Sequence, residues 1–323
     1  MTPFSLLGRR VWVAGHRGMV GSALVRRLQR ENCDVLTTGE LRLDLRRQND
    51  VEEWMGENLP DVVFIAAAKV GGIHANETRP AEFLYDNIMI EANIIEAAHR
   101  MRRPKLMLLG SSCVYPRMAP QPMTEDALLT GALEKTNEAY AVAKIAGIEL
   151  CKYYRQQYAD DFISVMPTNL YGPGDNFDLA QSHVLPSLMR KAHAAKQSGA
   201  PMIQVWGTGA PRREFLHVDD LADACVFLIK NYSADSHINI GTGEDLTIAD
   251  LAQLVCDAVG YAGTLHFDPS KPDGTPRKLL DVSRLHGLGW HHNIGLREGI
   301  AGTYDWFKTH YNSARLSTNT QPT

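Results

Sequence analysis

Tyr140 and Lys144 stand four residues apart in Tyr140-Ala-Val-Ala-Lys144, a spacing that puts a phenol and an ammonium on one helix face. A cation beside a phenol favours phenolate, so the pair predicts a tyrosine drawn towards proton transfer near neutral pH. Upstream, Gly110-Ser111-Ser112-Cys113 closes an apolar run. The Ser111 hydroxyl could hold a carbonyl beside the phenol, a polarising pair suited to hydride transfer. Cys113 follows Ser111 by two residues, so on an extended chain both side chains point the same way. A cysteine works as a base only as thiolate and is otherwise a small buried hydrophobe; both readings are open here. Near the start, Gly15, Gly18 and Gly21 bracket His16, Arg17, Met19 and Val20. That spacing permits a tight turn, close approach of backbone to a pyrophosphate and close helix–strand packing.

The elements that must hold these residues are legible from periodicity. Apolar runs over 10–14, 34–38, 61–68, 105–111 and 162–167 read as strands. Between them, helical patterns run from the glycine turn to residue 30 and over 51–58, 85–102 and 140–157. This alternation predicts βαβ units: an α/β fold with a doubly wound parallel sheet of the Rossmann type. Beyond Asn169 the texture changes. A Gly/Pro/Asn/Asp-rich loop spans 171–181, helices follow over 184–197, 221–230 and 250–260, and a short strand over 237–241. Residues 211–220 read as charged functional surface, and 314–323 as a disordered tail. The expected division is a cofactor domain over 1–170 and a smaller α/β substrate-binding domain over 171–323. Its bulk would be 171–212 and 242–312, with 213–241 returning to the first domain and 313–323 a flexible tail. A site is expected in the cleft between them.

Composition narrows the class without naming it. The chain has 323 residues, 33 Lys+Arg against 37 Asp+Glu, and a formal charge of −4, which speaks against a nucleic-acid partner. A chain this long buries roughly three quarters of its surface on folding. No apolar run approaches the ~20 residues of a membrane span, and residues 1–10 lack the apolar stretch of a signal peptide. The 5 cysteines are scattered and lack C-x-x-C spacing, which suits a reducing, cytoplasmic setting and suggests no metal site. The cofactor follows from the second strand. It ends in Leu36-Thr37-Thr38-Gly39 with no carboxylate before Glu40, and Arg17 could reach a ribose 2′-phosphate, favouring NADP(H) over NAD.

Together the glycine turn, Ser111, Tyr140 and Lys144 resemble the extended short-chain dehydrogenase/reductase family. Within it, the strings AGHRGMVGS from Ala14, AAAKVGGIHAN from Ala66, GSSCVYP from Gly110 and NEAYAVAKIAGI from Asn137 resemble its keto-sugar-nucleotide epimerase/reductases. So do MPTNLYGPGDNF from Met166, SHVLP from Ser182, REFLHVDD from Arg213, INIGTGEDLTI from Ile238 and KPDGTPRKLLD from Lys271. The resemblance implies a homodimer acting on a GDP-linked 4-keto-6-deoxy sugar: epimerisation beside the ketone, then reduction by NADPH. It gives Ser111, Tyr140 and Lys144 the reductase role, and Cys113 and His183 the base and acid of epimerisation. To the glycine turn it adds Thr38, Leu109, Gly110, Ser112, Lys144, Pro167, Thr168, Asn169, Leu170 and His183 as cofactor contacts. Lys191, Trp206, Arg213, Asp273 and Lys278 are expected at the nucleotide diphosphate and its sugars. For Trp206 core packing, for Asp273 a Pro-Asp-Gly turn, and for His183 a bare helix start remain equally physical readings. The sequence departs from the family at Lys191, where arginine is commoner, and at 37–39, where the family can carry arginine for the 2′-phosphate. A relative acting on a 3-deoxy sugar and a non-catalytic NADP sensor are the alternatives. For dimerisation, Ile145, Ile148 and Leu150 are expected on an exposed face.

Overall fold

The computed structural model describes residues 3–101, 104–179, 181–271 and 273–310; the tail expected to be disordered lies outside them. In chain order come β1 (Arg10–Ala14), α1 (Met19–Leu28), β2 (Asp34–Leu36), α2 (Gln48–Asn58) and β3 (Val62–Ile65). Next are α3 (Ile73–Thr78), α4 (Pro80–Arg100), β4 (Lys105–Leu109), α5 (Glu138–Tyr158), β5 (Phe162–Pro167) and β6 (Asn169–Tyr171). The second half adds α6 (Val184–Ser198), β7 (Met202–Trp206), β8 (Arg212–Arg213), β9 (Phe215–His217), α7 (Val218–Asn231) and β10 (Ile238–Ile240). It ends with β11 (Leu246–Thr247), α8 (Ile248–Val259), β12 (Thr264–Asp268), β13 (Arg277–Lys278), α9 (Ser283–Gly287) and α10 (Leu296–His310).

Among the described residues, six strands form one parallel sheet in the order β10-β5-β4-β3-β1-β2. Both faces are covered, and the strands alternate accordingly. Val11, Val13, Phe64, Met107 and Val165 pack towards α1 and α7, while Trp12, Ala14, Ile65, Leu108 and Met166 pack towards α2, α4 and α5. The chain leaves β1 for β2 on one side and returns past β1 to β3 on the other. In a doubly wound sheet of this kind, the crevice at that reversal is where a nucleotide binds. A third core, with Leu188, Val255 and Phe307, joins α6, α8 and α10 and backs the small sheets β7–β12 and β11-β8-β13. No described helix is long and apolar enough to cross a membrane.

β1 and β5 run as the sequence pattern predicts, and β10 closes the sheet edge far down the chain. Two expectations need correction. Ile145 and Ile148 are buried against the sheet, and Leu150 is half-buried beside that core, because this side of α5 is the one that covers the strands. The exposed large apolar residues of α5 are Val142, Tyr153 and, at its end, Tyr158. Residues 211–220 are not a charged surface: they form β8, β9 and the start of α7, with Glu214, His217 and Asp220 buried. These polar groups serve as internal acceptors. Both carboxylate oxygens of Asp220 accept backbone N–H groups, from Asn293 and Ile294.

Glu214 shows the principle best. Fully buried, its Oε1 accepts the backbone N–H groups of Thr242 at 2.6 Å and Gly243 at 2.8 Å, and its Oε2 that of Leu280 at 3.0 Å. Burial raises its proton affinity and these donors oppose the rise. One carboxylate thereby joins the β8–β9 segment, the turn after β10 and the run out of β13. Glu214→Ala leaves three backbone donors unpaired, so a loss of roughly 3 kcal/mol or more is expected in urea unfolding followed by circular dichroism. An unchanged midpoint and slope would refute this account.

Candidate active site

At the sheet reversal the chain turns through Gly15, whose φ of +86° is strained for other residues and whose Cβ would lie 2.6 Å from the Ala67 backbone. A Cβ on Gly21 would strike the Gly15 carbonyl, so the start of α1 lies directly on the turn. Gly18 caps α1 without a side-chain hydrogen bond, which leaves the first helical N–H groups free of any capping side chain. This open, dipole-favoured cradle fits a pyrophosphate. Arg17 settles a question raised by the sequence. Its guanidinium lies over Gly39, where a Cβ would sit 3.0 Å from Nη2. Because Gly39 has no side chain, there is room for the arginine of the turn beside the segment that follows β2. Thr38 is half-buried beside it, and His16 is pushed below its usual range by burial and by Arg17. Met19 and Val20 begin α1. Leu109, Gly110 and Ser112 stand at and just beyond the end of β4, and Pro167, Thr168, Asn169 and Leu170 run from the end of β5 into β6. Thr168 and Asn169 are fixed by side-chain bonds to the Glu214 carbonyl at 3.3 and 2.8 Å.

A cleft of about 390 Å³ is lined by Ser111, Cys113, Tyr140 and His183 together with Lys191, Trp206, Arg213, Asp273 and Lys278. Ser111 and Cys113 do not share a face through strand parity, since residues 112–114 make a single 3-10 turn. Ser111 caps that turn, its Oγ accepting the Cys113 N–H at 3.3 Å, and the turn brings both side chains to the cleft.

Lys144 lies behind Tyr140 rather than in the cleft. It is 1% exposed; its Nζ donates to the Leu109 carbonyl at 3.0 Å and meets Glu91 of α4 at 2.7 Å. Both side chains of this pair are 2% exposed. The expected drop in the Tyr140 proton affinity is therefore overturned. Burial pushes the hydroxyl up to about 12; Lys144 and Ser111 pull it down, while the charges of Cys113 and Glu91 push it up. Desolvation outweighs the lowering by Lys144.

His183 stands just ahead of α6, open to solvent at the cleft mouth. The cleft walls push its imidazole below the usual range, and the charge of Lys278 adds to this. Cys113 Sγ accepts from Asn137 Nδ2 at 3.2 Å and from Lys278 Nζ at 3.6 Å. Trp206 is 56% exposed, so it is no core residue; its ring lies 5.8 Å from Lys191 Nζ and 5.7 Å from Lys271 Nζ. Lys191 is lowered by burial and donates to the Gln204 carbonyl at 3.0 Å. Asp273 accepts from the Thr208 N–H at 2.7 Å and hydroxyl at 2.9 Å, bracing a turn at the cleft edge. Glu91, Asn137 and Lys271 escaped the sequence reading. Glu91 carried one signal, a lone carboxylate among the apolar positions of α4, and Asn137 opens the string that contains Tyr140.

This fold and site define a class. A model of the NAD dependent epimerase/dehydratase family matches residues 11–241, and the chain belongs to that family. Among its members, a GDP-L-fucose synthase of Sinorhizobium fredii is 54% identical, covering 95% of this chain and 98% of the relative. A GDP-L-colitose synthase of Yersinia pseudotuberculosis is more distant, 36% identical over 94% of this chain and 99% of its own. The crystal structure of a GDP-L-fucose synthetase from Naegleria fowleri bound to NADP superposes with a TM-score of 0.89, at 29% identity, covering 97% of this chain and 98% of that one.

The Glu91 charge helps to hold the Tyr140 hydroxyl up, so its removal should lower it. In Glu91→Gln the alkaline limb of a reaction that needs protonated Tyr140 is expected at lower pH than in the wild type. Because Lys144 loses its partner, stability should also fall by roughly 3–5 kcal/mol. A kcat–pH profile with a stationary alkaline limb, measured where the variant is folded, would exclude this coupling.

Proposed function

We propose that this chain converts GDP-4-keto-6-deoxy-D-mannose to GDP-L-fucose, epimerising C3 and C5 and then reducing the C4 ketone with NADPH. The observation that carries the reading is the cleft itself, where a hydroxyl–phenol pair, a thiol and an imidazole meet beside a dinucleotide cradle. Ser111 and Tyr140 hold the C4 oxygen, and as a C–H bond breaks its electron pair passes into that oxygen. Cys113 takes the proton from carbon, and His183 delivers one to the opposite face. Each epimerisation leaves the thiol protonated and the imidazole neutral, and solvent at the mouth resets both. The nicotinamide, when bound, supplies hydride to C4. Tyr140 then gives its proton to O4, so one carbonyl site serves both reactions. The cradle from Gly15 to Gly21 holds the pyrophosphate, and Arg17 over Gly39 takes the 2′-phosphate. Arg213, Lys191 and Trp206 receive the GDP moiety, with Asp273 holding the turn beside them.

The test is product analysis in D2O with NADPH. Deuterium at C3 and C5 and one NADPH oxidised per product are expected; neither label nor oxidation would refute the assignment. Cys113→Ser should slow exchange by about 100-fold or more while NADPH binding stays near normal. We further infer a cytoplasmic homodimer joined through α4 and α5, supported by five free cysteines and by the exposed Tyr85, Val142 and Tyr153 on those helices. Sedimentation velocity should give a dimer that Val142→Glu weakens; a wild-type monomer at micromolar concentration would exclude it.

A further inference from the structure

The sequence reading placed Lys278 with the cations that meet a diphosphate, but its surroundings point elsewhere. β8 and β13 lie side by side, with Arg277 opposite Arg212 and Lys278 opposite Arg213. Arg212 and Arg277 both pair with Asp245, at 2.8 and 2.5 Å. Arg213 and Lys278, on the alternate positions, line the cleft, and neither has a carboxylate within salt-bridge distance among the described residues. The two cations therefore reach the cleft without a direct ion pair, although Asp273 and Glu134 act on Arg213 at longer range. Their nearest partners differ. Arg213 Nη1 donates to the Arg212 carbonyl at 2.8 Å, which points the guanidinium along the cleft. Lys278 Nζ instead contacts Cys113 Sγ.

We propose that Lys278 and Asn137 form a two-donor seat for the Cys113 thiolate, so that Lys278 acts on the carbon base and not on the substrate phosphates. A neutral thiol is a poor acceptor, and two N–H donors converging on one sulfur, one of them cationic, suit an anion. The donors come from unrelated segments, the residue ahead of α5 and strand β13, and converge only in the folded chain. Asn137 adds a second observation: its Oδ1 is buried and accepts no hydrogen bond. An unpaired buried acceptor is destabilising, so a purely structural asparagine would gain by a partner for this oxygen. Here the amide is oriented by what its Nδ2 holds.

The other charged or titratable groups of the cleft around Cys113 are Tyr140 from α5, Arg213 from β8, His183 ahead of α6 and the carboxylates of Glu134 and Asp273, both of which also act on Arg213. Lys278 also disfavours charge on His183, which makes a protonated imidazole there the stronger acid. One cation thus favours the deprotonated base and the acidity of its partner. Strand β13 is held by Glu214 through Leu280, two residues beyond Lys278, so the ammonium is aimed by a rigid segment.

The proposal rests on Cys113 as the carbon base, and the test separates the two. Full-length wild type, Lys278→Met, Lys278→Arg and Asn137→Asp are treated with iodoacetamide across pH, and Cys113 modification is read by peptide mass spectrometry. Deuterium exchange into the keto sugar is measured in parallel. In Lys278→Met the alkylation profile should move up by about one pH unit, with exchange kcat down about 10-fold and substrate KM changed less than about 3-fold. Lys278→Arg should recover most of the rate. Asn137→Asp, which places an anion at the sulfur, should move the profile up on its own and covers the case in which Lys278→Met fails to fold. Unmoved alkylation profiles in the folded variants would overturn the proposal, as would a Lys278→Met defect confined to KM, the mark of a phosphate ligand. Full exchange in Cys113→Ser would instead remove the base assignment itself, whatever the alkylation profiles show.

Discussion

A carboxylate sealed from water fixes where the cleft can be. Glu214 accepts backbone N–H groups from the turn after β10 and from the run out of β13, while its own carbonyl receives Thr168 and Asn169 from the end of β5. An anion in such a position is stable only when its donors arrive in a set geometry, so it converts three loosely related segments into one frame. Arg213 is its neighbour in sequence, Lys278 lies two residues from Leu280, and Asn169 lines the cleft. The cations of the site therefore inherit their positions from an internal anion.

Buried charge recurs behind the phenol. The Lys144–Glu91 pair lies on the covered side of α5, and a Cβ at Gly147 would collide with the Glu91 carboxylate, so the helix must come close at that glycine. A net charge of −4 is then no obstacle to binding anions. What matters is which cations are neutralised locally. Lys144 is paired inside, Arg212 and Arg277 are paired with Asp245, and Arg213 and Lys278 face the cleft. The field at the site follows from this pairing pattern more than from the sum over the chain.

Much of this was legible in the sequence because it follows from period and spacing. The doubly covered strands, the glycine turn and the i, i+4 pair on α5 are local patterns, and the structure has them where the residues require. Apart from the parity of Ser111 and Cys113, which the 3-10 turn over residues 112–114 removes, the failures were long-range. Residues 211–220 looked like surface because five of them are charged, yet Glu214 and Asp220 act as internal acceptors for N–H groups far away in sequence. Ile145 and Ile148 carry no mark of which side of α5 meets the sheet. Burial reverses the shift expected at Tyr140, and Glu91, remote from every motif, adds to it. Local strings give the reacting groups; their proton affinities are set by partners that only folding supplies.

The sixth strand of the parallel sheet has a consequence for synthesis. β10 pairs with β5, but the ribosome delivers it only after α6, β7, β8, β9 and α7 have been made. Until residue 240 has emerged, β5 is an open sheet edge with apolar flanks, the kind of surface that recruits other chains. The late strand and the late anchor of Glu214, Leu280, make the first-made half of the molecule dependent on its last-made third. A nascent chain that has passed β5 but not yet Leu280 therefore exposes an edge that the folded molecule covers.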